Sequence, residues 1–353
     1  MNLYVLNTSL ERVGVIDVFS SIIWTNRYYG YGEFELYLPA NDKVISLLRQ
    51  DFYLVREDAE ENAMIIEAIQ ISTDAELGNY LTVKGRCLKS ILYRRIIWNM
   101  TNLSGQLETC IARLLNENAI IPADNTRKIP YLINGNSLVT GIPLRVQYTG
   151  DNLGESIETL CQSYGIGWDI LLDIKQKKFV FVLYKGEDRS YNQTTNPWII
   201  FSNEYENLLA TTYMYDTSAY KNVCRIAGEG EGIARKYATV GDASGLNRYE
   251  IFVDSRDSST NDGEITDAEY FEQLREQGKE ALAETNVIET FEGEVKSDYT
   301  RQYGVDYFMG DIVEVVNEYG ISSSTRILEV IESEDDTGTY TIPTFSSYIA
   351  KEV

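Results

Sequence analysis

Two stretches of the chain, about 260 residues apart, show the same order of sequence features. The first begins at Asp51 with DFYLVRE, continues with IIEAI and passes through a glycine turn into YLTV. The second begins at Asp311 with DIVEVVNE, continues with ILEVI and passes through the turn DDTG into TYTI. Each alternates apolar and polar residues, which predicts three consecutive strands after a shared leading Asp. A β-module used twice predicts a quasi-symmetric molecule, in which residues 51–83 and 311–342 form equivalent strands.

Capping and stripe patterns add four helices to this β-framework. The predicted N-cap residues are Asn41, Ser104, Asn152 and Thr266. Glu155 stands at capping-box spacing from Asn152, and Glu269 at the same spacing from Thr266. Gly165 predicts a left-handed end of the helix that follows Asn152. Gly278 predicts a close backbone contact of the helix that follows Thr266. The helix after Ser104 carries an inward-facing apolar stripe formed by Leu107, Cys110, Ile111, Leu114 and Leu115.

Changes in periodicity divide the chain into four predicted segments. A mainly β domain covers residues 1–97, and a small α+β domain with a helix and a hairpin covers 98–205. A second β domain, at 206–235 and 287–353, is split by a loop-helix insertion at 236–286. The first part of that domain contains YKNVCRIAGEGEG, which resembles the YLTVKGRC of the first domain. The predicted fold class is α+β, mainly β, with two related β-domains and inserted small α+β domains.

Histidine is absent from the sequence, which excludes several classes of enzyme. Ser-His-Asp and Cys-His catalysis and zinc sites with imidazole ligands all need this side chain. Among 54 acidic residues, no pair of carboxylates stands out in a recognisable catalytic frame. We therefore predict a chain that is not an enzyme, with no catalytic, cofactor-binding or metal-binding residues.

The formal net charge is −23, from 31 basic and 54 acidic residues. A field of this sign repels phosphate, and no basic run interleaved with aromatic residues reverses it locally. We expect the protein not to grip nucleic acid. The same charge suits a passage through which nucleic acid slides without sticking.

Length and composition are typical of a globular, strand-rich protein of two or three domains, with 26 tyrosines. The N-terminus lacks a secretory pattern and no apolar run reaches the length of a membrane span, so we expect synthesis in a cytoplasm and no stable membrane insertion. The spacing of the four cysteines predicts free, mostly buried thiols. They are Cys87, Cys110, Cys161 and Cys224.

Two motifs resemble ligand sites. In GEGEG, at 228–232, the glycines alternate with carboxylates that would repel phosphate, so this motif indicates a strand end or bulge. The aromatic residues Trp24, Tyr28, Tyr29 and Tyr31 could form a platform for a sugar, although such residues more often pack strands or contact a subunit.

Three stretches together resemble the hub proteins at the tail tip of long-tailed bacteriophages. They are SLERVGVIDVFSSIIWTNRYYGYGEFELYLP, the pattern GR-x-L-x-x-x-L-x-RRI from Gly85 to Ile96, and YFMGDIVEVVNEYGISSSTRILEVIE followed by IPTF. The resemblance covers nearly the whole chain. It implies two related β-barrel-like tube domains with attached small domains, assembled as a trimer similar to the baseplate hub of contractile-tailed phages. Three such subunits present six similar positions.

The resemblance implies a structural virion component, synthesised in a bacterial host, at the tail tip of a siphovirus or prophage. Such a component joins the sixfold tail tube or distal tail ring to a threefold tip and forms part of the DNA channel, without binding DNA specifically. Its implied partners are further copies in a homotrimer, the distal tail protein, the tape measure protein, and tail fibre or receptor-binding proteins. Two alternatives stay open: a peptidoglycan-degrading glycosidase that uses two carboxylates, and a carbohydrate-binding tail module.

Overall fold

The computed structural model describes residues 2–76, 78–260, 265–295 and 301–347. It confirms a mainly β chain in which short helices are interspersed. The N-terminal part forms, in chain order, β1 (Leu3–Leu6), β2 (Arg12–Ile16), β3 (Ser21–Arg27), β4 (Glu33–Pro39), α1 (Asp42–Leu47), β5 (Tyr53–Arg56), β6 (Ala59–Asp74), β7 (Gly78–Cys87) and a 3-10 helix (Leu88–Arg94).

The rest of the chain alternates between strands and helices. The middle part forms β8 (Thr101–Gln106), α2 (Leu107–Leu115) with a π-turn (Asn116–Ile120), β9 (Leu132–Asn134), β10 (Pro143–Tyr148), α3 (Leu153–Ser163), β11 (Gly167–Asp173) and β12 (Lys178–Tyr184). The C-terminal part forms β13 (Ile200–Ser202), β14 (Leu208–Asp216), β15 (Val223–Ala227), β16 (Tyr237–Val240), β17 (Glu250–Asp254), α4 (Asp267–Glu284), β18 (Ile288–Val295), β19 (Ile312–Val316), β20 (Ser322–Asp335) and β21 (Gly338–Ser347). Short 3-10 turns occur at Asn125–Arg127, Asn203–Tyr205, Gly232–Ala234 and Gly245–Asn247.

Thirteen of the described strands belong to one sheet. The order of neighbouring strands is β14-β18-β21-β20-β3-β4-β7-β6-β5-β1-β2. In addition, β19 pairs with β20, and β13 pairs with β19. Neighbouring strands are antiparallel except β13 and β19, which are parallel. Both copies of the predicted repeat therefore lie in the same sheet, with β3 and β4 between them.

The two copies have the same strand order and the same irregularity. Each is an antiparallel meander with a long middle strand, β6 or β20. In each, a β-bulge interrupts the pairing of the middle and last strands, at Glu67 in the first copy and Leu328 in the second. Each bulge lies seven residues before the turn Asp, Asp74 or Asp335, whose carboxylate accepts a hydrogen bond from a turn N–H. The predicted equivalence of the two stretches is confirmed at the level of strand order and pairing.

The start of the repeat differs by one residue from the sequence prediction. Asp51 and Gly310 are equivalent, because both have positive φ, 64° and 88°, and the N–H of each donates to the carbonyl just before the bulge. Asp311 therefore corresponds to Phe52, and the predicted shared leading Asp is wrong. The shared requirement is a left-handed backbone, which glycine adopts without strain and Asp tolerates better than most residues.

Three of the four predicted helix starts are confirmed. The side chains of Asn41, Asn152 and Thr266 accept hydrogen bonds from backbone N–H groups at the starts of α1, α3 and α4. Thr266 and Glu269 form the reciprocal capping box. Gly165 follows α3 with φ of 64°, as predicted for a left-handed helix end.

The predicted helix start at Ser104 is wrong, although its apolar stripe is correct. Ser104 lies in β8 and pairs with β10, so the helix begins only at Leu107. The preceding Gln106 makes no side-chain cap. The stripe residues are all buried in α2: Leu107, Cys110, Ile111, Leu114 and Leu115.

The middle part shares a hydrophobic core with the first copy of the repeat. Tyr4 and Val55, from one face of the first sheet strands, join the cluster that contains Leu114 and Trp168. The alternate residues of the same strands, such as Leu3, pack into a second cluster on the opposite face. Both faces of the sheet are therefore covered at this end.

The strand pairings differ from the predicted segment boundaries at two places. β13 lies inside the predicted segment 98–205 but pairs with β19 of the second copy. β15 lies inside the predicted segment 206–235 but forms a separate three-stranded sheet with β16 and β17. The likeness of YKNVCRIAGEGEG to YLTVKGRC therefore does not reflect equivalent positions. Residues 261–264 of the predicted insertion, and 296–300 and 348–353 of the predicted second β-domain, lie outside the described residues.

Helix α4 covers the small sheet through a close contact at Gly278. A Cβ atom at Gly278 would lie 2.5 Å from Cδ1 of Ile226 in β15. The close backbone packing predicted for this glycine is confirmed. GEGEG follows the end of β15 at Ala227, and its last two glycines have positive φ, as predicted for a strand end.

Candidate functional site

The second copy of the repeat joins the N-terminal part of the chain where β20 pairs with β3. The outer half of β20, residues 329–335, forms an antiparallel ladder with residues 21–27 of β3. We call this ladder the seam. It joins strands that are about 300 residues apart in the chain into one continuous sheet.

Two arginines of the N-terminal part neutralise carboxylates of the second copy at the seam. Arg27 Nε lies 2.6 Å from Glu329 Oε2, and Arg56 Nη1 lies 2.5 Å from Glu332 Oε2. Arg56 is nearly fully buried and also pairs with Asp58, at 2.7 Å. The Arg56 guanidinium lowers the pKa of the Asp58 carboxyl. These charged hydrogen bonds favour one register of the seam. In any other register, an arginine or a carboxylate that is shielded from solvent would lose its partner.

Tyr28 follows β3 and lies fully buried where the N-terminal part, the second copy and the middle part meet. Its ring leaves no room for a side chain at Gly310 or Gly167, where a Cβ atom would lie 2.1 or 2.2 Å from Cε2. Its hydroxyl donates to the carbonyl of Gly165 at 3.2 Å, and the Arg326 guanidinium lies 5.3 Å from the ring centroid. Burial raises the pKa of this hydroxyl. Tyr28 therefore fixes three separate parts of the chain against one another.

Lys89 holds the loop that follows β3. It is 1% exposed, and Nζ donates to the carbonyls of Arg27, Tyr28 and Gly30 at 2.7, 3.3 and 3.0 Å. The ammonium also lies 4.9 Å from the ring of Trp168. Because a buried ammonium is costly without partners, this geometry fixes the conformation of the loop beside the seam.

Asp311 fastens the second copy to the segment that leads out of β12. One carboxylate oxygen accepts from Glu187 N at 2.7 Å, and the other accepts from Arg189 Nε at 2.8 Å and Phe308 N at 3.0 Å. Burial raises the pKa of Asp311, although the three donors oppose the shift. Both oxygens accept hydrogen bonds from protein groups, so this carboxylate acts as a structural clamp.

Among the described residues, four strands of the large sheet have an edge without a partner strand: β2, β13, β14 and the outer part of β6. The edges of β6 and β14 are the two considered below. The pairing of β5 with β6 ends at Ile65, so residues 68–74 have a neighbour only in β7; we call them the β6 edge. Strand β14 pairs with β18 alone, and we call residues 210–216 the β14 edge. Sequence patterning missed both edges. The signal was their lack of charge: each carries only a terminal Asp in a chain that is 24% charged.

The aromatic residues near β3 pack inside the protein, as favoured over a platform for a sugar. Trp24 and Tyr28 are fully buried. The ring of Tyr29 packs against Tyr28 at 4.9 Å, and Tyr31 packs edge-on against Tyr93 at 4.9 Å. The cluster packs a strand and its following loop and does not offer a flat exposed surface to a sugar.

The raised-pKa carboxyl groups occupy separate structural positions. Burial raises the pKa of Asp169, which lines a cavity of about 60 Å³, and raises the pKa of Glu280 to about 7, where α4 meets β10. A cavity of that size accommodates about two waters and no sugar ring. Among the described residues, no group of His, Cys, Asp and Glu side chains could hold a metal ion. The four cysteines are free, and three of them are buried.

None of the helices in the described part of the chain is long and apolar enough to cross a membrane.

Comparisons with known proteins find the same fold in phage tails. The chain is similar over nearly its whole length to the 43 kDa tail protein of prophage MuSo2 from Shewanella oneidensis, with a TM-score of 0.63, 14% sequence identity and 98% of each chain covered. It is also similar to the tail protein from Neisseria meningitidis MC58, with a TM-score of 0.62, 13% identity, and 98% of this chain and 96% of that chain covered. A third similar structure is prophage tail protein gp18 from Listeria monocytogenes EGD-e, with a TM-score of 0.53, 13% identity, and 99% of this chain and 95% of that chain covered. At these identities the likeness shows a shared fold. No curated protein sequence matches the chain.

The family comparison extends over almost the full sequence. The family model described as siphovirus ReqiPepy6 Gp37-like protein matches residues 2–345. Because this match includes both copies of the repeat, the middle part and the insertion, the chain belongs to the siphovirus ReqiPepy6 Gp37-like protein family.

Proposed function

We propose that this chain is a structural, non-enzymatic subunit of a phage tail, and that it serves as the hub at the tail tip. Membership of a siphovirus family and the fold shared with three tail proteins support a place in the tail. The observation that carries the finer role is the seam. It joins two copies of one β-module into a single sheet, with β3 and β4 between them.

This geometry suits a junction between sixfold and threefold symmetry. Each chain contributes two modules with the same strand order, so three chains in a ring present six similar positions. One face of such a homotrimer can seat on a sixfold tail tube or distal tail ring, while the opposite face offers threefold sites. Distal tail protein, tape measure protein and fibre or receptor-binding proteins are the partners we propose.

The charge of the chain suits a DNA channel. With a net charge of −23, the ring would repel the phosphate backbone, and DNA would pass without being held. The proposal therefore assigns no DNA-binding residue. It also assigns no catalytic residue, because the raised-pKa carboxyl groups are engaged in packing contacts.

Electron microscopy combined with light scattering tests the proposal. The expected particle has three times the chain mass of 40.2 kDa and appears as a ring with an open centre and six similar lobes. The same sample is expected to leave peptidoglycan intact in a zymogram. A protein that stays monomeric at every salt concentration, or that clears peptidoglycan, would contradict the proposed role.

A further inference from the structure

The repeat relates the β6 edge to a strand segment that already has a partner. Counting from the bulges at Glu67 and Leu328, residues 68–74 of β6 correspond to residues 329–335 of β20. Residues 329–335 pair with β3 in the seam. The β6 edge therefore has the same register as a paired strand but lacks a neighbour on that side among the described residues.

The β14 edge corresponds to β3 by the same relation. The last strands of the two copies, β7 and β21, are equivalent, and each has one further neighbour, β4 or β18. Beyond these lie β3 and β14. Following the pairings residue by residue places Tyr213 of β14 at the position of Trp24 of β3. Each edge therefore corresponds to one strand of the seam: the β6 edge to β20, and the β14 edge to β3.

We propose that these two edges pair between neighbouring copies of the chain, so that residues 68–74 of one copy form an antiparallel ladder with residues 210–216 of the next. The seam sets the register. Glu332 lies opposite Trp24 within the chain, and their equivalents, Ile71 and Tyr213, lie opposite each other between chains. This interface rests on the proposed ring function and specifies how the ring closes.

Exposure supports the assignment. Val330 in the seam is fully buried, whereas its equivalent Ile69 is 37% exposed. On the β14 edge, Tyr215 is 59% exposed. In the proposed register Ile69 faces Tyr215, which is a β-branched and aromatic pair of the kind that stabilises antiparallel strands.

Charge supports it as well. Uncharged exposed edges invite pairing with another strand, and proteins usually protect such edges with lysine or proline. Both edges here lack these residues. Their two acidic residues, Asp74 and Asp216, fall at opposite ends of the proposed ladder, so no two carboxylates face each other.

The interface is heterologous, since one copy contributes its β6 edge and the next contributes its β14 edge. Interfaces of this type build closed rings when the rotation between copies closes. In a trimer, three seams within chains would alternate with three ladders between chains. Each of the six modules would then have the same strand neighbours.

Disulfide trapping tests the register. The double variant Ile69→Cys with Tyr215→Cys places two thiols opposite each other across the proposed ladder, at positions that are exposed in the single chain. The matched control, Ile69→Cys with Met214→Cys, shifts one thiol to the opposite face of β14, where Met214 is 45% exposed. The wild-type chain with its four native cysteines measures the background, and circular dichroism checks that each variant is folded.

We expect mild oxidation to convert the first variant into a covalent trimer, and to leave the control and the wild type without cross-links. An equimolar mixture of the two single variants, Ile69→Cys and Tyr215→Cys, should give only covalent dimers, because each carries one edge thiol. A protein that light scattering shows to be trimeric, but that does not cross-link or cross-links equally in the control, overturns this interface and leaves the ring function standing. A chain that never associates overturns both.

Discussion

At the residue scale, backbone conformation and close contact act together at Gly310. This residue combines φ of 88° with a ring of Tyr28 so near that a Cβ atom would lie 2.1 Å from it. Gly320 has a similar φ of 77° but no atom within 4 Å of its Cβ position. The pair separates the effect of a left-handed backbone from the effect of packing at the junction of the two copies.

We predict that Gly310→Ala lowers the free energy of unfolding by roughly 2–5 kcal/mol, the sum of left-handed strain (about 1–2 kcal/mol) and overpacking (about 1–3 kcal/mol). Gly320→Ala should lower it by only about 1–2 kcal/mol, from strain alone. Urea unfolding followed by circular dichroism measures both. Equal losses in the two variants would show that Tyr28 moves aside at no cost and that the junction is not tightly packed.

At the element scale, α4 docks on the middle part through tyrosine–carboxylate hydrogen bonds. Tyr148 Oη donates to Glu280 Oε1 at 3.0 Å, and Tyr164 Oη donates to Glu276 Oε2 at 2.6 Å. Burial raises the pKa of Glu280 from 4.5 to about 7, and the nearby carboxylates of Glu276, Glu284 and Asp151 add to the shift. The insertion is therefore attached through a carboxyl group that changes charge near neutral pH.

The raised pKa of Glu280 fixes the sign of a pH effect. Between pH 4.5 and about 7 the folded protein holds a proton on Glu280 that the unfolded chain releases, so its contribution to stability falls as pH rises through this window. Gln at this position keeps an acceptor for Tyr148 and cannot ionise. We predict that Glu280→Gln changes the thermal unfolding midpoint little at about pH 5 and raises it at about pH 8.

The control for this prediction is Glu272→Gln at an exposed position of α4, because Glu272 is not among the groups that shift the pKa of Glu280. It should show the same difference from wild type at both pH values. Thermal unfolding by circular dichroism gives the midpoints. A Glu280→Gln variant whose difference from wild type is independent of pH would mean that solvent reaches Glu280 in the folded protein.

At the scale of the whole molecule, net charge opposes assembly while the strand edges favour it. Bringing together three chains of charge −23 adds self-repulsion that the uncharged ladders do not offset by ion pairing. The Debye length falls from about 30 Å at 0.01 M salt to about 8 Å at physiological ionic strength. Repulsion across a ring interface is therefore much weaker at the higher salt.

We predict that the isolated chain is monomeric or weakly associated at low salt and becomes increasingly trimeric as salt rises, or when its tail-ring partner is added. Light scattering across a salt series at constant protein concentration measures the shift. A trimer that dissociates as salt rises would show that ion pairs between chains dominate the interface, contrary to the two uncharged edges.

Much of the local structure could be predicted from neighbouring residues alone. The alternating strands of the repeat, the caps at Asn41 and Thr266 and the close approach at Gly278 all follow from short-range patterns. The failures arose where two patterns competed. Ser104 has cap chemistry but is taken into β8 by pairing with β10, and the apparent match of Asp51 with Asp311 hid the backbone match of Asp51 with Gly310.

The sequence by itself determined that the chain is mainly β, carries one module twice and cannot use histidine chemistry, because periodicity, repetition and composition are properties of the linear chain. Only the tertiary structure decided that β20 meets β3, that β13 joins β19, and that β15 leaves the large sheet. Strand partners are chosen by burial and hydrogen bonding between segments that are distant in sequence, and strands with similar alternation are locally indistinguishable. The β6 and β14 edges could not be predicted for the same reason, because a strand edge can be identified only when the partners of the other strands are known.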